Sequence, residues 1–312
     1  MINFRYHVVS LTAVFLALAI GLVVGTAALN GPVSENLRNN LAELNKDNNV
    51  RREQVNKLND EVNRNQEFAA QIAPMLLGGK LAGRKLTVVS LPGAEDAATG
   101  VVTMLKVAGA TISSRMTVEE KFFDPNNANE LLDLADQSTQ NTVPGAGLPL
   151  NSDGVETASA LLALALTQST APVQPSADDV TAVLAAFTKP GYISVEDGAL
   201  GGAEAVVLVS GVPATDAAAD KKSRNALTVA TQFSGTDRPT VVAGDDVGDG
   251  NLVSGIRNDP TLNPKISTLD NVSTVQGQVA TALVVWDRLV QGKIGHYGLG
   301  TGVTAIVPST AP

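Results

Sequence analysis

The chain has 312 residues, 44% of them hydrophobic, which is enough for one large or two small domains with a core and too apolar for wholesale disorder. A net charge of -9 leaves no surplus of Lys and Arg for a phosphate backbone, and aromatics at 4% leave few rings for stacking bases or sugars, so nucleic acid is not an expected partner. Cysteine is absent, which removes disulfides, thiolate nucleophiles, iron–sulfur clusters and Cys-based zinc or copper sites.

The first element is VVSLTAVFLALAIGLVVGTAAL, residues 8–29, which carries no charge. As a helix it spans about 33 Å, close to a bilayer core of roughly 30 Å, and it exceeds the roughly 7–15 residues of a signal-peptide core. The reading is a transmembrane helix behind a short cytoplasmic tail, residues 1–7, with Arg5 marking the inner side of the plasma membrane. Stalk and head then lie outside the cytoplasm. Thr26-Ala27-Ala28 resembles a cleavage site and keeps a removed signal as the alternative. Ala13, Ala17, Gly21 and Gly25 fall on one stripe that would let two such helices approach, although these residues are common in any membrane helix.

Asn30-Gly31-Pro32 breaks the apolar run. Residues 34–77 then read as a coiled-coil helix of about six heptads. Leu41, Asn48, Val55, Val62, Ala69 and Leu76 occupy a, while Leu37, Leu44, Arg51, Leu58, Asn65 and Ile72 occupy d. A buried Asn at a costs stability and fixes a two-stranded parallel register. Arg51 and Asn65 weaken the middle of the seam, so a partner chain completes it or it stays loose. The expectation is a parallel homodimer, with a helix folded back on the globular part as the alternative. The mixed charges from Lys46 to Arg64 read as a solvated face, and Gly78-Gly79 with Gly83 as a hinge.

Residues 84–308 alternate β-rich and helical runs. KLTVVSL, TISSRMTV, AEAVVLVSG, PTVVAGDD and VTAIVP read as strands. Residues 101–107, the Leu131-Leu132 and Leu161 to Leu166 segments and QVATALVVWDRLVQG read as helices. The fold class expected is a Rossmann-like α/β head with a mostly parallel sheet.

Its candidate sites are weak. The loop LPGAEDAATG lacks the glycine spacing of a dinucleotide or phosphate loop and puts Glu95 and Asp96 where an anion would sit. GDDVGDG offers Asp245, Asp246 and Asp249 in a spacing unlike an EF-hand. GHYGLGTG is read as a helix end followed by a tight turn. With His7 at the membrane edge, His296 is the one histidine left to serve as a base, and no nucleophile elbow accompanies it, so no enzyme is expected.

The strings RYHVVSLTAVFLALAIGLVVG and ISTLDNVSTVQGQVATALVVWDRLVQGKIGHYG carry a family likeness that runs over the whole chain. The order of span, heptads and α/β head resembles the MctB family of actinobacterial envelope proteins. That family is named for the mycobacterial copper transport protein B and includes the corynebacterial cell-envelope protein SteB. The family name implies copper handling. The residues add no compact soft-metal site, since Met1, Met75, Met104 and Met116 are scattered, and no cofactor is expected. The SteB likeness implies a homodimer that pairs with a SteA-like membrane partner. It would control cell-wall hydrolysis by offering its coil to that of a secreted peptidoglycan hydrolase. The resulting reading is a non-enzymatic, membrane-anchored scaffold, with a copper transporter as the alternative. Its expected dimer and partner residues are Ala17, Gly21, Gly25, Leu37, Leu41, Leu44, Asn48, Val55, Leu58, Val62 and Ile72.

Overall fold

The computed structural model describes residues 4–30, 32–150, 152–170, 172–196, 198–245 and 248–309. Gly31 of the expected break, Asp246 of the acidic turn and Met1 lie outside them. The chain divides into two compact units, Met1–Asn65 and Gln66–Pro312.

The first unit is helical. Helix α1, Phe4–Asn30, contains a stretch from Phe4 to Ala27 long and apolar enough to cross a membrane. It begins four residues before the expected Val8, because Phe4 and Tyr6 extend the apolar run around Arg5. Thr12 and Thr26 return their hydroxyls to the carbonyls of Val8 and Leu22, each at 2.8 Å, so neither is left unpaired in an apolar setting. Helix α2, Pro32–Leu77, opens with proline at its first position, where a missing N–H costs nothing.

The last three turns of α2 belong to the second unit. Ala69, Ala73 and Leu77, spaced by four on one face, are buried, the latter two within a core cluster. The expected hinge does not exist as such. Gly78 N donates to Pro74 O, Lys80 N to Leu77 O and Leu81 N to Ala108 O, and Leu81 is fully buried. Gly79 and Gly83 supply left-handed turn positions, φ 76° and 75°, inside a hydrogen-bonded corner.

The second unit holds seven strands: β1 Lys85–Ser90, β2 Thr111–Val118, β3 Ile193–Val195, β4 Ala205–Val209, β5 Thr240–Ala243, β6 Ile266–Leu269 and β7 His296–Tyr297. They form one sheet in the order β3-β2-β1-β4-β5-β6-β7, parallel except for β3 against β2. This is the doubly wound order, with its switch point between β1 and β4. Val-rich runs such as AVVLV make the central strands because both faces must be buried. Ala205, Val207 and Val209 point into one core cluster and Val206 and Leu208 into the other, the period-two alternation of a pleated strand.

One face is covered by α3 (Glu95–Val107) and α9 (Val275–Val290) with the end of α2. The other is covered by α4 (Ala128–Gln137), α5 (Gly154–Leu166), α6 (Ala177–Thr188), α7 (Ala219–Ser234) and α8 (Leu252–Asn258). Side-chain caps start several of them: Asp153 receives Glu156 N on α5, Ser176 receives Asp179 N on α6 and Thr274 receives Gly277 N on α9. VTAIVP is not a strand. Only Ala305 bridges to Tyr297, and Ile306 and Val307 are exposed.

Candidate interaction surface on the long helix

Leu37, Leu41, Leu44, Val55, Leu58 and Val62 lie on one stripe of α2, and each is more than half exposed. Burying such a side chain is worth about 1.5–3 kcal/mol. The six together leave on the order of 10 kcal/mol unrealised in one chain. That is comparable with the roughly 4–15 kcal/mol that association costs in lost freedom. Asn48, Arg51 and Asn65 interrupt the stripe and are also exposed. Lys57 and Glu53 pair at 3.0 Å one turn apart, off the stripe.

The surface ends where the second unit begins. Ile72 is half-buried and Ala69 buried, so these two expected seam positions sit among side chains of their own chain. The signal missed in the sequence was the strict spacing of four from Ala69 to Ala73 to Leu77, which departs from the alternating three and four of a seam. On α1, Ala17 and Gly21 are exposed and Gly25 half-buried. A methyl group added at either glycine would meet nothing within 4 Å, so the stripe is open to close approach.

The head absorbs its other candidates into structure. At the switch point the Glu95 carboxylate accepts Gly93 N at 3.2 Å, filling the place of an anion with the protein's own. Gly211 lies so close to the first loop that a Cβ there would come within 2.8 Å of Pro92 O. Backbone thus narrows the crevice that holds dinucleotides in this fold. What remains there is a cavity of about 70 Å³, bordered by Pro92, Gly211, Phe123, Ser210 and Lys222, far below the roughly 300 Å³ of small-molecule pockets. Lys222 is held by Asp216 at 2.8 Å and Glu120 at 3.0 Å, which together raise its pKa. A larger cavity of about 370 Å³ lies between the loops around Pro144 and Pro175, bordered by Val143, Leu164, Val173 and Pro175, with no charged side chain among the described residues of its wall.

Asp245 accepts from the backbone N and hydroxyl of Ser273, at 3.2 and 3.1 Å. Among the described residues no three His, Cys, Asp or Glu side chains converge on a metal position. Met75 is exposed while Met104 and Met116 are buried in different clusters.

GHYGLGTG departs from its expected form. His296 and Tyr297 are strand β7, and the glycines that follow wrap a buried ion pair. Arg257 Nη1 donates to Asp270 Oδ2 at 2.9 Å, and the guanidinium also reaches Thr268 Oγ1 and the carbonyls of Tyr297 and Thr301. Asp270 further accepts the backbone N–H groups of Leu299 and Gly300. Gly298, at φ 127°, touches that carboxylate and leaves no room for a Cβ. His296 packs its Nδ1 on Thr268 Oγ1 at 2.9 Å. Burial first, and the Arg257 charge second, hold it below the ordinary histidine range. The Tyr297 hydroxyl donates to Asp287 at 2.9 Å and is pushed up to about 12, mainly by burial and then by that carboxylate. The string is a buried polar lock at the sheet edge.

Comparison with known proteins decides the family. A family described as "Copper transport outer membrane protein, MctB" matches residues 1–308. The chain belongs to the MctB family. Two relatives are the proteins named copper transporter MctB of Mycobacterium tuberculosis, 29% identical over 99% of this chain and 100% of its own length, and of Mycobacterium leprae, 30% identical over 98% and 99%. The family is named for transport and for an outer membrane, not for an enzymatic reaction. Membership rests on the whole chain, α1 and α2 included, as much as on the head.

Proposed function

We propose that this member of the MctB family is a non-enzymatic, membrane-anchored scaffold of the cell envelope that acts by assembly through α2. The observation that carries the reading is the row of exposed Leu and Val side chains from Leu37 to Val62 on a continuous helix about 69 Å long. The anchor is α1, with Arg5 on the cytoplasmic side and everything after the span outside the cytoplasm. Two copies associate through α2, assisted by the stripe of Ala17, Gly21 and Gly25. The assembly takes a SteA-like membrane partner and offers its coil to a secreted peptidoglycan hydrolase, whose activity and hence cell separation it governs.

The test is complementation of a deletion strain with the full chain and with L44D/V55D/L58D/V62D. The wild-type chain restores cell separation and the variant does not. Equal rescue by both would sink the reading.

The names of the relatives favour a second reading, a role in copper handling. Here copper is cargo. The described residues offer no cluster of soft ligands for it, and α1 is a single apolar span rather than a polar-lined one. Copper handling by this chain would therefore run through an assembly. Tight Cu(I) binding by the purified chain at near-integral stoichiometry, with copper accumulation and normal cell separation in the deletion strain, would make this second reading the right one.

A further inference from the structure

We infer that the exposed surface of α2 is completed by a second copy of this chain, parallel and in register, and that Asp47 and Arg52 are the side chains that select it. This rests on the scaffold reading and specifies its partner. With Leu41, Asn48, Val55 and Val62 at a, the positions flanking the seam follow from the numbering. Arg38, Asn45, Arg52 and Asn59 stand at e, and Asn40, Asp47, Gln54 and Glu61 at g.

In a parallel coiled coil each g residue faces the e residue five positions later on the other helix. Asn40 then faces Asn45, Asp47 faces Arg52, Gln54 faces Asn59 and Glu61 faces Gln66. Two-fold symmetry makes each meeting twice. One is an ion pair, the others are neutral or amide contacts, and no like charges meet. Antiparallel pairing sets e against e and g against g. Arginines 38 and 52 then gather along one seam edge and the acids 47 and 61 along the other, which disfavours it. Asp47 and Arg52 are both exposed, and among the described residues neither is held in an ion pair within its own chain.

The register has a second determinant in the adjacent layer. In register, Asn48 meets Asn48, and each amide can donate to and accept from the other. A slip of one heptad sets Asn48 against Leu41 or Val55 and leaves a buried amide unpaired. Arg51, at d, follows Asp47 by one turn in the order that favours an acid–base pair on a helix, so its charge has a carboxylate beside the layer it enters. The helix α1 that precedes α2 places both copies in one membrane with the same polarity, which only a parallel pair satisfies.

The native chain has no cysteine, so single substitutions in the full chain, in membranes, give cross-links without background. Under oxidation, Leu41→Cys, Asn48→Cys, Val55→Cys and Val62→Cys should each form a disulfide dimer, because facing a positions bring Cα atoms to the roughly 4.4–6.8 Å that a disulfide needs. Lys46→Cys, on the outer face, should not. On the Val55→Cys background, D47R alone or R52D alone should lower the dimer yield about threefold. D47R/R52D together should restore it, and coexpressed D47R and R52D chains should cross-link with each other in preference to themselves.

Cross-links confined to one of the four sites would overturn the parallel register while leaving a dimer. Full cross-linking indifferent to the charge swaps would overturn selection by Asp47 and Arg52. A covalent adduct with a different protein in place of the dimer would overturn the second copy here and the homodimer under Proposed function, and leave only the anchored scaffold acting through α2. No cross-link at any site would overturn the homodimer in both.

Discussion

Leu86, Leu105 and Leu161 in the head are fully buried, whereas Leu37, Leu44 and Leu58 on α2 are about 60% exposed. The two groups share a side chain and differ in what their neighbours do. In the head, strands with apolar residues on both faces lie between two helical layers, and the apolar side chains of the central strands are buried in folding. On α2 the same residues recur at heptad spacing among Asn, Arg and Glu, and they stay exposed. Apolar surface in the head is therefore stability, and on α2 it is capacity for association.

That contrast can be broken most sharply at the stripe. L44D/V55D/L58D/V62D should abolish the dimer, measured by light scattering of the full chain in detergent, while the thermal midpoint of the head stays unchanged. A head that melts early in this variant would show that the two regions do not divide the work in this way.

Next in size is the reverse experiment. Asp270→Ala leaves Arg257 buried without its carboxylate, which should cost about 3–5 kcal/mol in chemical denaturation, with the cross-linking yield on α2 untouched. Removing both charges, as R257M/D270A, should cost less than Asp270→Ala alone.

A gentler probe is pH. The folded pKa of His296 lies below its unfolded value of about 6.5. Both states are neutral above that value. As pH falls through it the unfolded chain takes up the proton first, so stability declines until the folded pKa is reached. Denaturation midpoints at pH 7.5 and 5.5 should differ more for the native chain than for His296→Asn. The smallest effect expected is Lys57→Ala, which removes an exposed pair with Glu53 and should change the helix by only about 0.3–0.5 kcal/mol.

The sequence announced some of this and concealed the rest for physical reasons. KLTVVSL, AEAVVLVSG and PTVVAGDD were legible because a strand buried on both faces needs an unbroken apolar run. ISTL was not read as a strand, since Ser267 and Thr268 interrupt it and are buried because they bond to Gly295 N and Arg257. Residues 303–308 look like a strand by composition, yet their pairing is limited to Thr304 and Ala305, which bond to His296 and Gly298. The GHYGLGTG string was legible as unusual but not as a lock, because its partners Arg257 and Asp270 come from a short helix and from the residue after β6. On α2 the stripe from Leu37 to Val62 was legible in full, since spacing alone defines it. Its lower limit was not, because Ala69 and Leu76 satisfy the heptad in letters while Ala69 is already buried.

The contact of Gly211 with Pro92 and Gly93 bears on what this head can become. In a nucleotide-binding protein of this topology, the crevice outside the carboxyl ends of the first and fourth strands is left open for a guest. Here main chain narrows it to a cavity of about 70 Å³, and Gly211 could not be trimmed to widen it, because glycine has nothing left to trim. Recovering a ligand would require respacing two loops at once.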